Sequence, residues 1–230
     1  MAEAGALLVG LVALAALASR RRARPPPATP PSPAGVSTGG DARVEVVSTA
    51  AGWWVVGRAS TLGVVLGGEV PQIPGAAVAC GPMFDSRGPR FAVVDDARGV
   101  AVASRQRGDG RTLSVTAGRA TVTAGGLVPT GATVAVQGYP SLVEGGRPVD
   151  CQEGERGRRR LAWALMDGGR VALVGVVGTM WTLRAELVRG GALEAAYLDG
   201  GGAAEFTAPG GPAWRHEARE RPASWVLLGA

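Results

Sequence analysis

The chain has 230 residues, of which 46% are hydrophobic and 19% charged, so it can bury one core and is too apolar for a disordered protein. Its single histidine and two cysteines exclude a multi-histidine metal site, a cysteine-built zinc site and a disulfide scaffold, and they argue against a Ser-His-Asp triad. The net charge of +5 does not indicate a nucleic-acid groove, because most of the excess lies before residue 41. Residues 41–230 carry 20 arginines against 18 acidic residues and are therefore nearly balanced in charge. We therefore expect no metal, no other cofactor and no nucleic-acid partner.

The first 19 residues contain an apolar segment. Residues 4–18 carry no charge, and this run is shorter than the roughly 20 residues that span a bilayer. Its length is typical of the core of a signal peptide, and Ala16-Leu17-Ala18 offers a cleavage site of small residues. Arginines follow the run, so an uncleaved segment would keep them in the cytoplasm. We predict a signal peptide or membrane anchor over residues 1–19, which contacts the membrane or the export machinery. A buried helix or a misassigned start is the alternative.

Residues 20–43 are predicted to form a linker. Arginines come first, and residues 24–40 are then dominated by Pro, Gly, Ser and Thr, which cannot bury apolar surface and favour extended conformations. A tether between an apolar segment and a globular domain fits a protein that is exported to the periplasm or the extracellular space, or that stays anchored. A merely disordered tail is the alternative.

The remaining residues, 44–230, are predicted to form one β-rich domain, because glycines are frequent and supply the turns between short strands. Alternating or continuous apolar runs predict the following strands: 42–48, 53–66, 76–79, 90–95, 100–104, 113–116, 120–123, 133–137, 160–166, 170–177, 195–198 and 224–228. Turn sequences at residues 96–99, near Gly118 and at 167–169 predict three hairpins. Residues 182–189 form the best helix candidate, with Leu183 and Leu187 facing inward and Glu186 and Arg189 outward.

The two cysteines leave two interpretations. Cys80 and Cys151 can form one disulfide bridge if the domain is exported, and otherwise they are two separate thiols.

The most informative segment is Leu198-Asp199-Gly200-Gly201-Gly202, which ends a predicted strand. A carboxylate at the end of a buried strand occupies a fixed place, and the three glycines leave their backbone N–H groups uncovered. Such amides can bind an anionic phosphate while the carboxylate acts on an adjacent sugar. Taken alone, the run also fits a flexible turn.

The order of segments along the chain resembles that of the phosphodiester glycosidase family. The matching segments are Gly-x-Met-Phe-Asp at residues 81–85, Tyr-Pro-Ser-Leu-Val-Glu-Gly-Gly at 139–146, Arg-Leu-Ala-Trp-Ala at 160–164, the helix that begins at Thr182, Leu-Asp-Gly-Gly-Gly at 198–202 and Arg-Pro at 221–222. Each motif is weak alone, whereas their order and spacing together are specific. The resemblance implies an α+β fold with a β-rich mixed sheet and few helices, in one domain over residues 44–230.

The resemblance also implies an activity, the hydrolysis of the bond between a sugar's anomeric carbon and a phosphodiester in a phosphorylated carbohydrate. The leaving phosphate needs positive charge beside it more than strong acid assistance, and the planar fork of Arg160 matches phosphate oxygens. Arg160 can equally belong to a solvated loop with its neighbouring arginines. Asp199 is predicted to steady the oxocarbenium-like transition state or to orient water, with Asp85 as a second carboxylate or as a turn cap.

Substrate binding is assigned to the amides of Gly200, Gly201 and Gly202 and to Arg221, for which an ordinary surface arginine is the alternative. The chain departs from the family pattern where Cys80-Gly81-Pro82 replaces Asn-Gly or Asn-Ala, where Ala203 and Ala204 replace a serine, and where Ala223-Ser224 replaces Pro-Asn. These changes remove amide and hydroxyl groups that can bind a substrate. They allow a different substrate, or a domain that binds phosphoglycans without turnover.

Overall fold

The computed structural model describes residues 36–37, 44–67, 69–85, 88–105, 110–150, 157–215, 217 and 221–229, with only the backbone at 36–37 and 85. These ranges do not include the predicted apolar segment at residues 4–18, most of the predicted linker or Cys151. No helix in the described ranges is long and apolar enough to cross a membrane.

The described strands form one large sheet, two sheets of five strands and a two-stranded ribbon, and the strands pair antiparallel. The large sheet contains, in spatial order, β1 (Val36–Ser37), β2 (Val44–Ser48), β3 (Gly52–Arg58), β16 (Arg170–Gly178), β15 (Arg158–Met166), β17 (Ala192–Gly200), β13 (Ser141–Glu144) and β14 (Arg147–Pro148). Strand β1 pairs with Val46 and Val47 of β2, so the first strand begins inside the segment predicted as a linker.

The smaller sheets are assembled from segments that are distant in sequence. One contains β11 (Arg119–Ala124), β10 (Arg111–Thr116), β12 (Val134–Gly138), β8 (Val93–Asp95) and β9 (Val100–Val102). The other contains β19 (Ala213–Trp214), β18 (Phe206–Thr207), β5 (Ala77–Cys80), β20 (Ser224–Leu228) and β4 (Leu62–Leu66). Strands β6 (Phe84–Asp85) and β7 (Gly88–Pro89) form the ribbon.

The three predicted hairpins are confirmed. Strands β8 and β9 pair across a 3₁₀ turn at Asp96–Arg98, β10 pairs with β11, and β15 pairs with β16 across Asp167–Gly169. The last strand has the predicted bounds, Ser224–Leu228. The predicted strand at 195–198 is longer in the structure, since β17 starts at Ala192 and includes Asp199 and Gly200. The expectation of a β-rich domain with few helices is therefore confirmed.

Helix α1 (Met180–Arg189) begins two residues before the predicted helix. Thr179 caps it, because its side chain accepts a hydrogen bond from the backbone N–H of Thr182, whose own hydroxyl accepts one from Thr179. The prediction that Glu186 faces outward is wrong: Glu186 is buried and accepts a hydrogen bond of 3.1 Å from the indole of Trp54 on β3. The charge of Glu186 is kept in the interior by this bond and by Arg189, which pairs with the same carboxylate.

The large sheet is covered on both faces. Because successive side chains of a strand point to opposite faces, Leu161 and Trp163 of β15 pack with the two smaller sheets, whereas Ala162 and Ala164 pack towards α1. Leu187 of α1 belongs to the second of these clusters and is fully buried.

Candidate functional site

Segments that the sequence analysis singled out converge at the carboxyl end of β17. The backbone N–H of Tyr139 donates to the carbonyl of Tyr197 at 2.8 Å, and the N–H of Tyr197 donates to the carbonyl of Pro140 at 3.0 Å. One residue further along β17, the carbonyl of Leu198 accepts a hydrogen bond of 3.1 Å from the N–H of Met83. The motifs at 81–85 and 139–146 are therefore both hydrogen-bonded to the end of the strand that carries Asp199.

The end of the chain joins the same region. The N–H of Gly81 donates to the carbonyl of Ser224 at 2.8 Å, and Cys80 is paired with Trp225 in the sheet. A side chain at position 81 would meet the Ser224 hydroxyl oxygen at 2.1 Å and the Ser224 carbonyl oxygen at 3.0 Å, so the close approach of Ser224 favours glycine there. The segment that follows Arg221 is thus fixed against the start of the motif at 81–85.

Arg160 reaches the site from the other edge of β17. It is paired with Gly200 in the sheet, is 7% exposed, and its Nε donates to the carbonyl of Gly178 at 3.0 Å. The interpretation of Arg160 as part of a solvated loop is therefore wrong. That interpretation suits Arg159, which is partly exposed and pairs with the exposed Glu217 at 2.8 Å.

Tyr197 links the two residues predicted to be catalytic. Tyr197 and Arg160 lie on the face of the large sheet towards α1, and the register of β17 against β15 shifts between Tyr197 and Gly200, so that Asp199 stands in this irregularity. The Arg160 guanidinium donates a hydrogen bond to the Tyr197 hydroxyl. Burial and the charge of Asp199 raise the pKa of Tyr197, and Arg160 opposes this shift without cancelling it. Tyr197 consequently stays protonated between a cation and a carboxylate.

The glycines after Asp199 have specific structural roles. A side chain at Gly200 would come within 2.1 Å of the Tyr197 hydroxyl oxygen, so the absence of one lets that hydroxyl lie against the backbone. Gly201 has a φ of +70°, which opens the 3₁₀ turn Gly201–Ala203. The Gly200 N–H donates to Asp199 Oδ1 at 2.6 Å and so holds that carboxylate close to the turn.

Asp85 and Arg221 occupy different surroundings. Asp85 ends β6, two residues beyond the N–H that is bonded to Leu198, so its backbone continues from the edge of β17. Arg221 is exposed and lines a cleft of about 620 Å³ together with Glu205 and Arg215. Neither Arg160 nor Asp199 is among the residues that line this cleft. Arg160 and Asp199 therefore both lie near Tyr197, whereas Arg221 lines a separate cleft.

Cys80 lies between these two places. It is a buried free thiol, and Cys151, the other cysteine of the possible bridge, lies outside the described residues. Burial raises the pKa of Cys80, and the charges of Asp199 and Glu205 raise it further. Both carboxylates are thus near the same sulfur atom. Across the described ranges, no cluster of three or more His, Cys, Asp or Glu side chains could hold a metal ion.

Two residues of this region were missed by the sequence analysis. Tyr197 is two positions before Asp199 on the predicted strand, and this closeness in sequence is the signal that could have found it. Glu205 follows the glycine turn in a segment without regular structure, and nothing local in the sequence indicates that its side chain is 7% exposed and lines a cleft.

Comparison with known proteins identifies the family. The sequence profile described as phosphodiester glycosidase matches residues 74–228, more than half of the chain. No curated protein sequence matches significantly. The fold is similar to the catalytic domain of zebrafish N-acetylglucosamine-1-phosphodiester α-N-acetylglucosaminidase, auto-inhibited by its pro-peptide, with 14% identity, a TM-score of 0.59, and coverage of 84% of this chain and 81% of the other.

A second similar fold is that of a Burkholderia pseudomallei K96243 protein named as exported, with 14% identity, a TM-score of 0.54, and coverage of 80% of this chain and 74% of the other. At these identities the similarity concerns the fold. The profile match carries the assignment, and it includes Asp85, Arg160, Asp199 and Arg221. The chain belongs to the phosphodiester glycosidase family.

Proposed function

We propose that this domain hydrolyses a sugar-1-phosphodiester bond in a phosphoglycan of the envelope or the extracellular space. One observation carries the proposal: Tyr197 is bonded to Arg160 and feels the charge of Asp199 at the end of β17, where the family's motif segments meet. A cation and a carboxylate near one place are what the cleavage of a glycosyl phosphate requires.

Arg160 would stabilise the departing phosphate. Its guanidinium carries a permanent charge, and the Gly178 carbonyl and the Tyr197 hydroxyl fix its orientation. A phosphate monoester is already a good leaving group, so a fixed positive charge that meets the charge developing on its oxygens contributes more than a proton donor would. Because Arg160 is buried, water screens this interaction weakly.

Asp199 would act on the sugar. Its carboxylate can stabilise positive charge at the anomeric carbon or orient the attacking water. Asp85, whose backbone continues from the edge of β17, is the second carboxylate of the proposal. The backbone amides of Gly200, Gly201 and Gly202 and the guanidinium of Arg221 would bind the phosphorylated part of the substrate.

The expected location is outside the cytoplasm, in the periplasm or the extracellular space, or at the membrane through a retained anchor. The apolar segment at residues 4–18 and the Pro-rich segment after it support this. The similarity to a protein named as exported is consistent with it.

Release of free sugar tests the proposed hydrolysis. The purified protein is incubated with a panel of sugar-1-phosphodiesters, including N-acetylglucosamine esters and teichoic-acid-like polymers, and free sugar is measured. Asp199→Asn is expected to lower kcat/KM by about 100-fold or more, because it removes the carboxylate from the reaction. Asp167→Asn, in the exposed hairpin turn, serves as the matched control and should keep full activity. Equal activity in Asp199→Asn would contradict the assignment.

A non-catalytic phosphoglycan-binding module is the second candidate. Ala204 is fully buried where the family pattern offers a hydroxyl, and Pro82 supplies no N–H beside Gly81. If the module binds without turnover, calorimetry with a phosphoglycan will give saturable binding while no panel member releases sugar. A protein that shows neither saturable phosphoglycan binding nor sugar release would contradict both candidate functions.

A further inference from the structure

The cleft beside β5 and β18 combines apolar walls with three charges. Its volume is about 620 Å³, a size typical of sites for small organic ligands. Some of its aliphatic lining residues also pack against the core, namely Val70, Ile73 and Ala208. Its charged lining residues are Glu205, Arg215 and Arg221. The cleft can therefore cover an apolar group and contact charged groups at the same time.

Glu205 is the unusual member of this set. It is 7% exposed, and within the described part of the chain no hydrogen bond or ion pair reaches its carboxylate. Its backbone carbonyl accepts a hydrogen bond of 2.9 Å from the N–H of Cys80, which fixes the residue against β5. A buried carboxylate without a partner costs free energy, and in native proteins such a group usually has a ligand or a functional role.

The opposite charges in the cleft do not neutralise each other. Among the described residues, no side-chain nitrogen of Arg215 or Arg221 lies within 4.0 Å of the Glu205 carboxylate. The backbone of Arg215 is held in place, since its carbonyl accepts a hydrogen bond of 2.8 Å from Arg159. The cleft thus presents a buried negative group and an exposed positive group with space between them.

This arrangement restricts the chemistry of a ligand. A simple anion would be attracted by the arginines but repelled by Glu205. A metal ion would be repelled by the arginines, and nowhere in the described ranges do three or more His, Cys, Asp or Glu side chains form a cluster that could hold one. An organic molecule with both an ammonium group and a carboxylate satisfies both charges, because each group forms charge-assisted hydrogen bonds. The apolar walls favour an aliphatic part between the two groups.

We propose that this cleft binds a short aliphatic peptide through its two termini, with the terminal ammonium donating to Glu205 and the terminal carboxylate accepting from Arg215. A free amino acid carries both charged groups on one carbon atom, whereas each added residue separates them by up to about 3.3–3.6 Å. A peptide therefore suits charges that line one cleft without touching. The proposal does not rest on the proposed hydrolysis, because neither Arg160 nor Asp199 lines this cleft.

Calorimetry with one tripeptide in three forms tests the proposal on the full chain. Valyl-alanyl-alanine is titrated with both termini free, with an acetylated amino terminus and with an amidated carboxyl terminus. Acetylation removes the charge that would meet Glu205, and amidation removes the charge that would meet Arg215. Each modification should therefore weaken binding to the wild type about tenfold or more. Free valine should bind at least about tenfold more weakly than the free tripeptide.

Substitutions assign each terminus to a side chain. In Glu205→Gln the free and acetylated peptides should bind within about threefold of each other, while amidation keeps its effect. In Arg215→Gln the free and amidated peptides should bind alike, while acetylation keeps its effect. Glu69→Gln and Arg119→Gln change exposed residues outside the cleft lining and should retain both wild-type differences.

The peptide comparisons on the wild type keep the test decisive even where a variant at Glu205 fails to fold. Absence of tripeptide binding, equal binding of the free and acetylated forms, or valine binding as tight as that of the tripeptide overturns the proposal. An effect of acetylation that persists in Glu205→Gln also overturns it. Sugar release from phosphodiesters is a separate measurement, so peptide binding and the proposed hydrolysis can fail independently.

Discussion

Tyr197 holds the polar side chains of the site together at the scale of single residues. Its hydroxyl accepts from Arg160, lies against the backbone of Gly200 and is close to Asp199. Without this hydroxyl, the Arg160 guanidinium would lose one of the groups that orient it, although its bond to the Gly178 carbonyl would remain. We infer that Tyr197 positions Arg160.

The raised pKa of Tyr197 predicts an alkaline titration step. The chain has two tyrosines, and Tyr197 should ionise only above the ordinary tyrosine range, because burial and the charge of Asp199 disfavour the phenolate. In the unfolded chain the same group ionises near about pH 10. The folded state therefore loses stability as the pH rises above about 10, since the unfolded state releases a proton that the folded state keeps.

Absorbance of tyrosinate at increasing pH measures this step. Tyr197→Phe should remove the late-titrating signal and reduce the loss of stability above about pH 10. Tyr139→Phe is the matched control, and in that variant the late signal should persist. A late signal that survives in Tyr197→Phe would contradict the prediction.

Single residues also show what the sequence could and could not predict. Asp199 and Arg160 were singled out because each stands in a motif with its neighbours in the chain, and their catalytic roles are part of the proposal. Glu186 was placed outward because helical spacing gives a side chain's direction but cannot show that Trp54 on a distant strand offers it a hydrogen bond. The buried position of Glu205 depends on the same kind of non-local contact.

At the scale of elements, turn sequences and apolar periodicity were sufficient to predict the hairpins, but they could not predict the order of the strands in the sheets. The turn at Asp167–Gly169 lies between the two strands that it joins, so the sequence contains the whole unit. The pairing of β20 with β4 and β5 joins Ser224–Leu228 to strands near the beginning of the domain. No turn or periodicity encodes such a pairing, and the sheet order therefore had to come from the structure.

Asp95 joins two of these elements and carries a stability prediction. The residue is fully buried, and its carboxylate accepts hydrogen bonds from the N–H of Val64 on β4 at 2.8 Å and from the N–H of Arg98 at 3.1 Å. Asp95→Ala leaves the buried Val64 N–H without an acceptor and should lower the free energy of unfolding by about 2 kcal/mol or more. Urea unfolding followed by circular dichroism measures the change.

The neighbouring Asp96 gives the matched control for this measurement. It is exposed at the start of the 3₁₀ turn, so Asp96→Ala should change the free energy of unfolding by less than about 0.5 kcal/mol. Equal effects of the two substitutions would mean that Asp95 does not hold β4 to the hairpin.

At the scale of the whole molecule, the site depends on three sheets at once. Met83 follows β5 of one smaller sheet, Tyr139 follows β12 of the other, and both donate to β17 of the large sheet. Loosening any one sheet would therefore shift the surroundings of Asp199. Contacts between sheets that are far from the site should consequently influence activity through stability.

Arg111 and Glu144 form a contact between two sheets, and this ion pair predicts how stability depends on acid. Arg111 of β10 donates to the Glu144 carboxylate of β13 through Nε at 3.1 Å and also through Nη2. Burial alone would raise the pKa of Glu144, but the hydrogen bond and the charge of Arg111 outweigh it and lower the pKa below its ordinary value.

The sign of the effect follows from the depressed pKa. The unfolded chain binds a proton at Glu144 near about pH 4.3, whereas the folded chain binds it only at lower pH. The contribution of this pair is therefore fully present above about pH 4.3 and disappears as the pH falls through the folded pKa. Glu144→Gln should abolish that part of the acid dependence of the free energy of unfolding, measured by urea titrations between about pH 3 and 7. Glu69→Gln, which changes an exposed acid away from the pair, should keep the wild-type slope. An unchanged slope in Glu144→Gln would show that the two sheets are joined without help from this ion pair.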